Sequence, residues 1–301
     1  MSAPPALSQP DRRMDALVAN GEFPITAKDF DVISGIMMAQ TGISLPIAKA
    51  NLVYSRVAKR LRQLGLRDFK EYCALVTSAD GAAECQEMIA SLTTNVTRFF
   101  REPHHFEHLK TKILPDLVAA ARTGGRIRLW SAACSSGQEP YSMALTLLSV
   151  MPDAAKYDVK ILATDIDPNM LKAGAEGIYD EAALEPVPAS LRERWFRALN
   201  DGTGRRQAVD EMRKLVSFKK LNLIGSWPIR NKFHAVFCRN VAIYFENDTQ
   251  EMIWSRFFPL LEDQAALYIG HSERVSGLAE ALLRSDGITI YRPNGAKGAR
   301  A

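Results

Sequence analysis

The stretch Arg126-Ile127-Arg128-Leu129-Trp130-Ser131-Ala132-Ala133-Cys134-Ser135-Ser136-Gly137-Gln138-Glu139-Pro140-Tyr141 decides the fold. Arg126 to Ser131 reads as a strand, small residues and a glycine follow, and Glu139 to Val150 reads as a helix. Ligands of open α/β sheets bind at the carboxyl ends of strands, beside such turns. No G-x-G-x-x-G fingerprint or G-K-[ST] P-loop is present, which disfavours a pyrophosphate and favours a smaller nucleoside ligand. A tight turn with no ligand would read the same way.

Towards the C-terminus, Val159–Thr164 is the next strand and Pro168–Ala175 the next helix. Ala235–Cys238, Ala265–Ile269 and Ile288–Tyr291 are further strands. This alternation predicts an α/β domain with a mostly parallel sheet and helices on both faces. Between Ile178 and Val216 the alternation breaks, with Pro186, Pro188, Gly202 and Gly204. That length predicts an inserted subdomain or a flap over the site. Asp165 ends the second strand, where a carboxylate can accept hydrogen bonds from ribose hydroxyls. Asp167 can cap a helix that opens on Pro168. Arg239 and Asn240 follow a buried strand directly, so three strand ends place polar groups at one edge of the sheet.

Towards the N-terminus, residues from Thr26 to Leu92 carry only helical patterns, with Thr26 and Asp29 as a start signal and Gly65 as a stop. Helices are expected from about Ala48 to Leu64, Asp68 to Val76 and Ala82 to Leu92. The helix from about Ala48 to Leu64 carries Arg56, Lys59, Arg60 and Arg62, and Arg67 follows it, with no acidic residue between Arg56 and Arg67. Like charges at i, i+4 cost roughly a few tenths of a kcal/mol each, and nothing nearby in the sequence offsets that. The stretch is either a solvated face or a docking surface for an acidic partner, nucleic acid or an acidic protein helix.

The 301 residues are 47% hydrophobic and 24% charged, which excludes a disordered chain. The net charge of +4 is too mild to imply nucleic acid by itself. No apolar run reaches about 18 residues, so no membrane insertion is expected. Met1–Pro10 lacks a secretory pattern, which predicts a cytoplasmic protein. Residues 1–24 and 294–301 are expected to be mobile tails. The four cysteines form no C-x-x-C pair, and His104, His105 and His108 lack a cysteine or carboxylate at ligand spacing. They read as surface residues of a helix after Pro103, and no metal is expected.

Several separate segments carry a resemblance. They are Thr93-Thr94-Asn95-Val96-Thr97-Arg98-Phe99-Phe100-Arg101-Glu102, Trp130–Ser142, Ala163–Asp167, Leu221-Asn222-Leu223, Phe237–Phe245 and Gly270-His271-Ser272-Glu273. In this order they resemble the chemotaxis receptor glutamate O-methyltransferase family, the CheR type, over about Thr26 to Pro293. The resemblance implies a helical receptor-docking domain (25–92) and a link (93–103). A Rossmann-like class I S-adenosylmethionine-dependent methyltransferase domain (104–293) follows, with a small β-subdomain inserted at 178–216. It implies cofactor contacts from Asn95, Thr97, Arg101, Ala133, Glu139, Asp165, Asn222, Leu223, Arg239 and Asn240. Asn95 and Thr97 lie in the link, which would close over the cofactor. Gln138 stands where many members have Glu. Arg101 and Tyr244 are the candidates for orienting the attacking carboxylate, and Tyr244 reads equally well as a core aromatic. The product would be S-adenosyl-L-homocysteine.

The same resemblance makes the acidic methylation helices of a chemoreceptor cytoplasmic domain the partner for Arg56, Lys59, Arg60, Arg62 and Arg67, recruiting the enzyme to receptor arrays. Charge reversal at Arg60 is then expected to raise the apparent KM for receptor. A monomer is expected. Two rival readings are a nucleic-acid methyltransferase and a non-catalytic, cofactor-sensing scaffold. Against the first, no Asn-Pro-Pro-Tyr-like segment follows the fourth strand, and the basic helix has only Tyr54 as an aromatic. Against the second, Arg101, Glu139, Asp165 and Tyr244 are all present.

Overall fold

The computed structural model describes residues 17–18 and 21–294. The expected tail segments 1–16, 19–20 and 295–301 lie outside the described residues. Phe23, also read as tail, is buried with Ile25 in the helical core. The chain divides into two compact units, one ending at Thr93 and one beginning at Thr94.

The first unit is helical. The Thr26 hydroxyl accepts the Asp29 N–H (3.2 Å) and the Asp29 carboxylate accepts the Thr26 N–H (3.0 Å), a capping box that starts α1 (Ala27–Thr41). Helix α2 (Ala50–Leu64) stops at Gly65, which is left-handed (φ 68°). Asp68 caps α3 (Phe69–Thr77), and α4 (Ala82–Leu92) completes the bundle. Phe30, Ile33, Val53, Val57, Leu61 and Phe69 meet in one core, as helical periodicity requires.

The expectation that nothing offsets the repulsion along α2 is corrected here, because the acids come from other parts of the fold. Arg60 donates two bonds to Glu84 of α4 (2.9 and 2.5 Å), and the buried Glu84 also accepts from the Tyr72 hydroxyl (2.8 Å). Arg62 pairs with Glu22 (2.7 Å) and Arg67 with Glu71. Arg56 donates to the carbonyls of Ser91 and Thr93 (3.1 and 2.8 Å), and Lys59 is exposed. Arg60 is therefore an internal strut. Arg60→Glu would set two carboxylates together at a half-buried site and is expected to cost the helical unit about 3 kcal/mol. Arg62→Glu breaks an exposed pair and is expected to cost under about 1 kcal/mol. Urea midpoints of the two variants check this, and equal midpoints would refute it.

The second unit begins with α5 (Pro103–His108), a π turn (Leu109–Ile113) and α6 (Leu114–Arg122). There follow β1 (Ile127–Ala132), α7 (Gln138–Val150), β2 (Val159–Asp165), α8 (Pro168–Glu176), β3 (Ile178–Asp180), α9 (Ala189–Trp195), β4 (Phe196–Ala198) and β5 (Arg205–Ala208). The chain continues through α10 (Asp210–Arg213), β6 (Val216–Lys220), β7 (Phe233–Cys238), α11 (Asn247–Phe257), β8 (Leu261–Ile269), α12 (Ala279–Leu282), β9 (Leu283–Gly287) and β10 (Ile290–Pro293). Seven strands form one sheet in the order β6-β2-β1-β7-β8-β10-β9. Its first five strands are parallel, and β10 runs antiparallel to both neighbours. The order reverses at β1, which places the ligand crevice at the carboxyl ends of β1, β2 and β7.

The inserted stretch holds a separate antiparallel sheet, β3-β5-β4. Two strand readings are corrected. The strand β6 went unread because it is a half-exposed edge strand, Val-Ser-Phe-Lys-Lys, whose pattern lacks a continuous apolar run. The last strand starts at Ile290, since Ile288 (76% exposed) and Thr289 (φ 55°) turn the β9–β10 hairpin. Among the described residues no helix is long and apolar enough to cross a membrane.

Candidate active site

The turn after β1 is built from left-handed residues: Ala133 (φ 62°), Ser135 (φ 49°) and Gly137 (φ 94°). At Gly137 a side chain would also collide with Gly174 and the Tyr179 hydroxyl. Asp165, at the end of β2, accepts the N–H groups of Ser135 (2.8 Å) and Asp167 (2.9 Å). The carboxylate thus anchors the turn, and each oxygen keeps a lone pair for a further donor. Burial pushes the Asp165 carboxyl up, and the backbone N–H bonds only partly oppose it. Asp167 caps α8 through the Asn169 N–H (2.8 Å) and accepts from the Asn95 amide (2.9 Å). The Asn95 carbonyl accepts the Ser135 hydroxyl (2.9 Å). Residues 95–102, read from the sequence as a link, therefore pack within the second unit. Buried Phe99, and the Phe100 N–H donating to Ser142 Oγ (2.9 Å), show the same.

A buried guanidinium joins the ends of β1 and β7. The Arg239 side chain is 2% exposed. Its Nη1 lies 3.2 Å from Glu139 Oε2 and its Nη2 3.4 Å from Glu102 Oε2. Nη2 also donates to the Arg101 carbonyl. The rings of Phe106 and Phe237 flank it at 5.6 and 5.9 Å. Glu139 also accepts the Ser131 hydroxyl (2.7 Å), and burial pushes its carboxyl up against the opposing pull of Arg239. Glu102 accepts from the Asn240 amide (3.3 Å) and pairs with His271 Nδ1 (3.1 Å). Burial alone would raise the Glu102 carboxyl, but Arg239, His271 and Asn240 together hold it at about 2.

The exit of β7 is clamped from below. Glu273 accepts four backbone N–H groups: Gly270 (2.5 Å), Asn240 (2.9 Å), Val241 (2.9 Å) and Ala242 (2.7 Å). This fixes Asn240 in a left-handed conformation (φ 58°). Gly270 lies so close beneath Asn240 that a Cβ there would clash with it.

Contacts thus bring together Asn95, Ala133, Glu139, Asp165, Arg239, Asn240 and the Arg101 backbone. The Leu221 N–H donates to the Asp165 carbonyl (3.0 Å), so Asn222 and Leu223 continue from the same corner. Leu223 is buried, and its carbonyl accepts from Arg256 (3.0 Å). Arg101 is half-buried and donates to the Val96 carbonyl (3.1 Å). Thr97 and Tyr244 are half-buried at the ends of their loops. Glu102, His271 and Glu273 were missed as site residues, although each stands in a quoted segment. A glutamate three residues past a buried glycine at a strand end was the available signal for Glu273.

The reading of the histidines as surface residues holds for His104, which is exposed, and is corrected for His105 and His108. His105 is wholly buried, and burial with the nearby Arg239 pushes its imidazole down to about 3. His108 bonds the Tyr268 hydroxyl (3.0 Å) and Asp286 (3.2 Å). The left-handed Glu102 (φ 56°) turns its carboxylate back, so that ligand atoms of Glu102, His104 and His105 lie within 4.8 Å of one another. The Arg239 guanidinium beside that carboxylate opposes a second cation there. Because the folded His105 titrates below its ordinary 6.5, the unfolded chain binds more protons as pH falls from about 6.5 to 3. His105 is thus expected to weaken the fold with acid, and His105→Asn should lessen the loss between about pH 7 and pH 5. Urea midpoints at the two pH values test this, and equal losses in both proteins would count against it.

The arrangement suits a zwitterionic nucleoside. Small left-handed residues leave the backbone of the turn open to close approach, Asp165 keeps acceptor capacity, and Glu139 and Arg239 set opposite charges beside the turn. Arg239 Nε and Glu102 Oε2 are buried without hydrogen-bond partners, so the site has unspent polar capacity.

The chain matches two family domains in order: "CheR methyltransferase, all-alpha domain" over residues 28–93 and "CheR methyltransferase, SAM binding domain" over residues 95–289. It is 54% identical over 258 residues to a probable chemotaxis protein methyltransferase of Rhizobium etli, covering 85% of this chain and 96% of that protein. It is 41% identical to chemotaxis protein methyltransferase 2 of Pseudomonas aeruginosa (91% and 96% covered). Identity is 40% to the chemotaxis protein methyltransferase of Escherichia coli (87% and 89% covered).

Proposed function

This chain belongs to the CheR methyltransferase family, and from that premise we propose that it methylates side-chain carboxylates of glutamates on the cytoplasmic helices of chemoreceptors. The esters would serve chemotactic adaptation, and the enzyme would act in the cytoplasm at receptor arrays. The observation that carries the reading is the meeting of Glu139, Arg239 and Glu102 at the carboxyl ends of β1 and β7, inside the span that matches the S-adenosylmethionine-binding domain.

S-adenosylmethionine supplies an electrophilic methyl on a sulfonium. Asp165 is proposed to take the ribose, Asn222 and Leu223 the adenine, and Glu139, Arg101, Asn95, Thr97, Ala133, Arg239 and Asn240 the rest of the cofactor. A glutamate carboxylate (ordinary pKa about 4.3) is already ionised at neutral pH, so the enzyme needs no general base. Its work is to align the carboxylate and exclude water, and alignment alone can be worth about 7–11 kcal/mol of barrier. Arg101 and Tyr244 are proposed to orient that carboxylate. Of the basic residues of the helical unit, Lys59, Arg62 and Arg67 have exposed side chains and remain the candidates for steering acidic receptor helices.

The test is transfer of labelled methyl from S-adenosylmethionine to purified chemoreceptor cytoplasmic fragments, followed by mild base. Label released as methanol supports a glutamate methyl ester. Label that stays on protein through base, or no label on any of a panel of receptors, would refute the reading.

A further inference from the structure

A second cavity, of about 430 Å³, lies along β2 and β6, between those strands and residues 228–233. Leu162 and Phe233 line it, with the cations Arg128, Lys160, Lys219, Lys220 and Arg230, and no carboxylate lines it. Arg128 is neutralised by a two-pronged pair with Asp158 (2.7 and 2.8 Å). Lys160 donates to the Lys214 carbonyl (3.4 Å) and feels Asp158, which Arg128 already pairs, without forming an ion pair with it. Among the described residues no ion pair joins Lys219 or Arg230 to an acid. Lysines on an edge strand guard a sheet against unwanted pairing, and that would account for Lys219 and Lys220. It does not account for Lys160, on a strand paired on both sides, or for Arg230 on the facing segment.

The spacing of the charges selects the ligand. Lys219 lies opposite Thr164 in the β2–β6 register, four residues beyond Lys160. At about 3.3 Å per residue the two cationic ends of the groove are roughly 13 Å apart. A nucleotide carries its charge at one end and would leave the other unanswered. The chain's own C-terminal residues 295–301 carry Lys297 and Arg300 and no acid, so they do not suit the groove. We propose that this groove binds an extended acidic segment of a partner protein, with acidic residues about four positions apart and an apolar residue between them.

A fluorescein-labelled peptide Glu-Glu-Leu-Leu-Glu-Glu, titrated with the full chain and read by anisotropy, tests the proposal. Binding that weakens between about 50 and 300 mM salt is expected. Lys160→Glu with Lys219→Glu should weaken it at least about tenfold. The same variant should keep its melting temperature and its affinity for S-adenosyl-L-homocysteine, since neither lysine belongs to the active site. The pair Arg62→Glu with Arg67→Glu should leave peptide binding unchanged. Undiminished binding by the groove variant, loss in the Arg62/Arg67 variant instead, or displacement of the peptide by inorganic triphosphate at lower concentration than by unlabelled peptide would each overturn it.

Discussion

Arg239→Ala is expected to destabilise the methyltransferase unit by about 3–5 kcal/mol, the cost of removing one partner from a buried ion network. The guanidinium is the only side-chain cation that the described contacts place against both Glu102 and Glu139. Without it, two carboxylates, one just before α5 and one in the first turn of α7, lose the cation between them beside the rings of Phe106 and Phe237. Both must then take up protons or draw in water. Arg239→Lys should recover only part of the loss, because a single ammonium cannot span the pair that the planar fork spans. The variants are read by urea unfolding and by titration with S-adenosyl-L-homocysteine. If Arg239→Ala unfolds at the wild-type midpoint, the guanidinium is not the strut described here. The double variant Arg239→Ala with Glu102→Gln should regain stability, because it removes one of the stranded charges.

Arg101→Ala is expected to act on the chemistry and spare the fold. Its guanidinium is half-buried and donates to the exposed Val96 carbonyl, so little packing is lost with it. If it orients the carboxylate or the cofactor, its removal should lower methyl transfer by about 10²–10³-fold, the usual cost of a preorganised charge at the reacting centre. The melting temperature should shift by no more than about 2 °C, as for a surface substitution. Initial rates at saturating cofactor and receptor measure the first quantity, and calorimetry the second. Full activity in Arg101→Ala would remove it from the catalytic pair. Inactivity with a lowered melting temperature would recast it as a structural residue. Arg101 and Arg239 thus make opposite predictions from the same short segment, since the Arg101 backbone carbonyl serves Arg239 while its side chain points elsewhere.

The glycine-bearing turn after β1, the acid ending β2 and the Arg-Asn pair ending β7 were all legible as linear patterns. Each depends on local backbone geometry, and residues such as Ser-Ser-Gly or Asp-Ile-Asp-Pro announce that geometry. The helical unit was legible for the same reason, from the Thr26–Asp29 capping box to the left-handed Gly65. Local order could not say which charge meets which. Arg60 reads as one of an unbroken run of cations, yet Glu84 reaches it from 24 residues away. Arg239 finds Glu139 across 100 residues, and its neighbour Asn240 finds Glu102 across 138. His105 reads as a surface residue after Pro103, yet Thr289 of the β9–β10 turn bonds it from 184 residues away and it is wholly buried. Sequence by itself determined the helical unit, the strand–helix alternation around β1, β2 and β7 and the polar residues at those strand ends, because these follow from periodicity and backbone preference within about ten residues; the family was legible from the separate segments that resemble it. Only the tertiary structure decided that Glu102 and Glu273 belong to the site and that Arg56 and Arg60 are bound within their own domain. Those roles rest on ion pairs and hydrogen bonds whose strength depends on burial, and burial is a property of the packed chain.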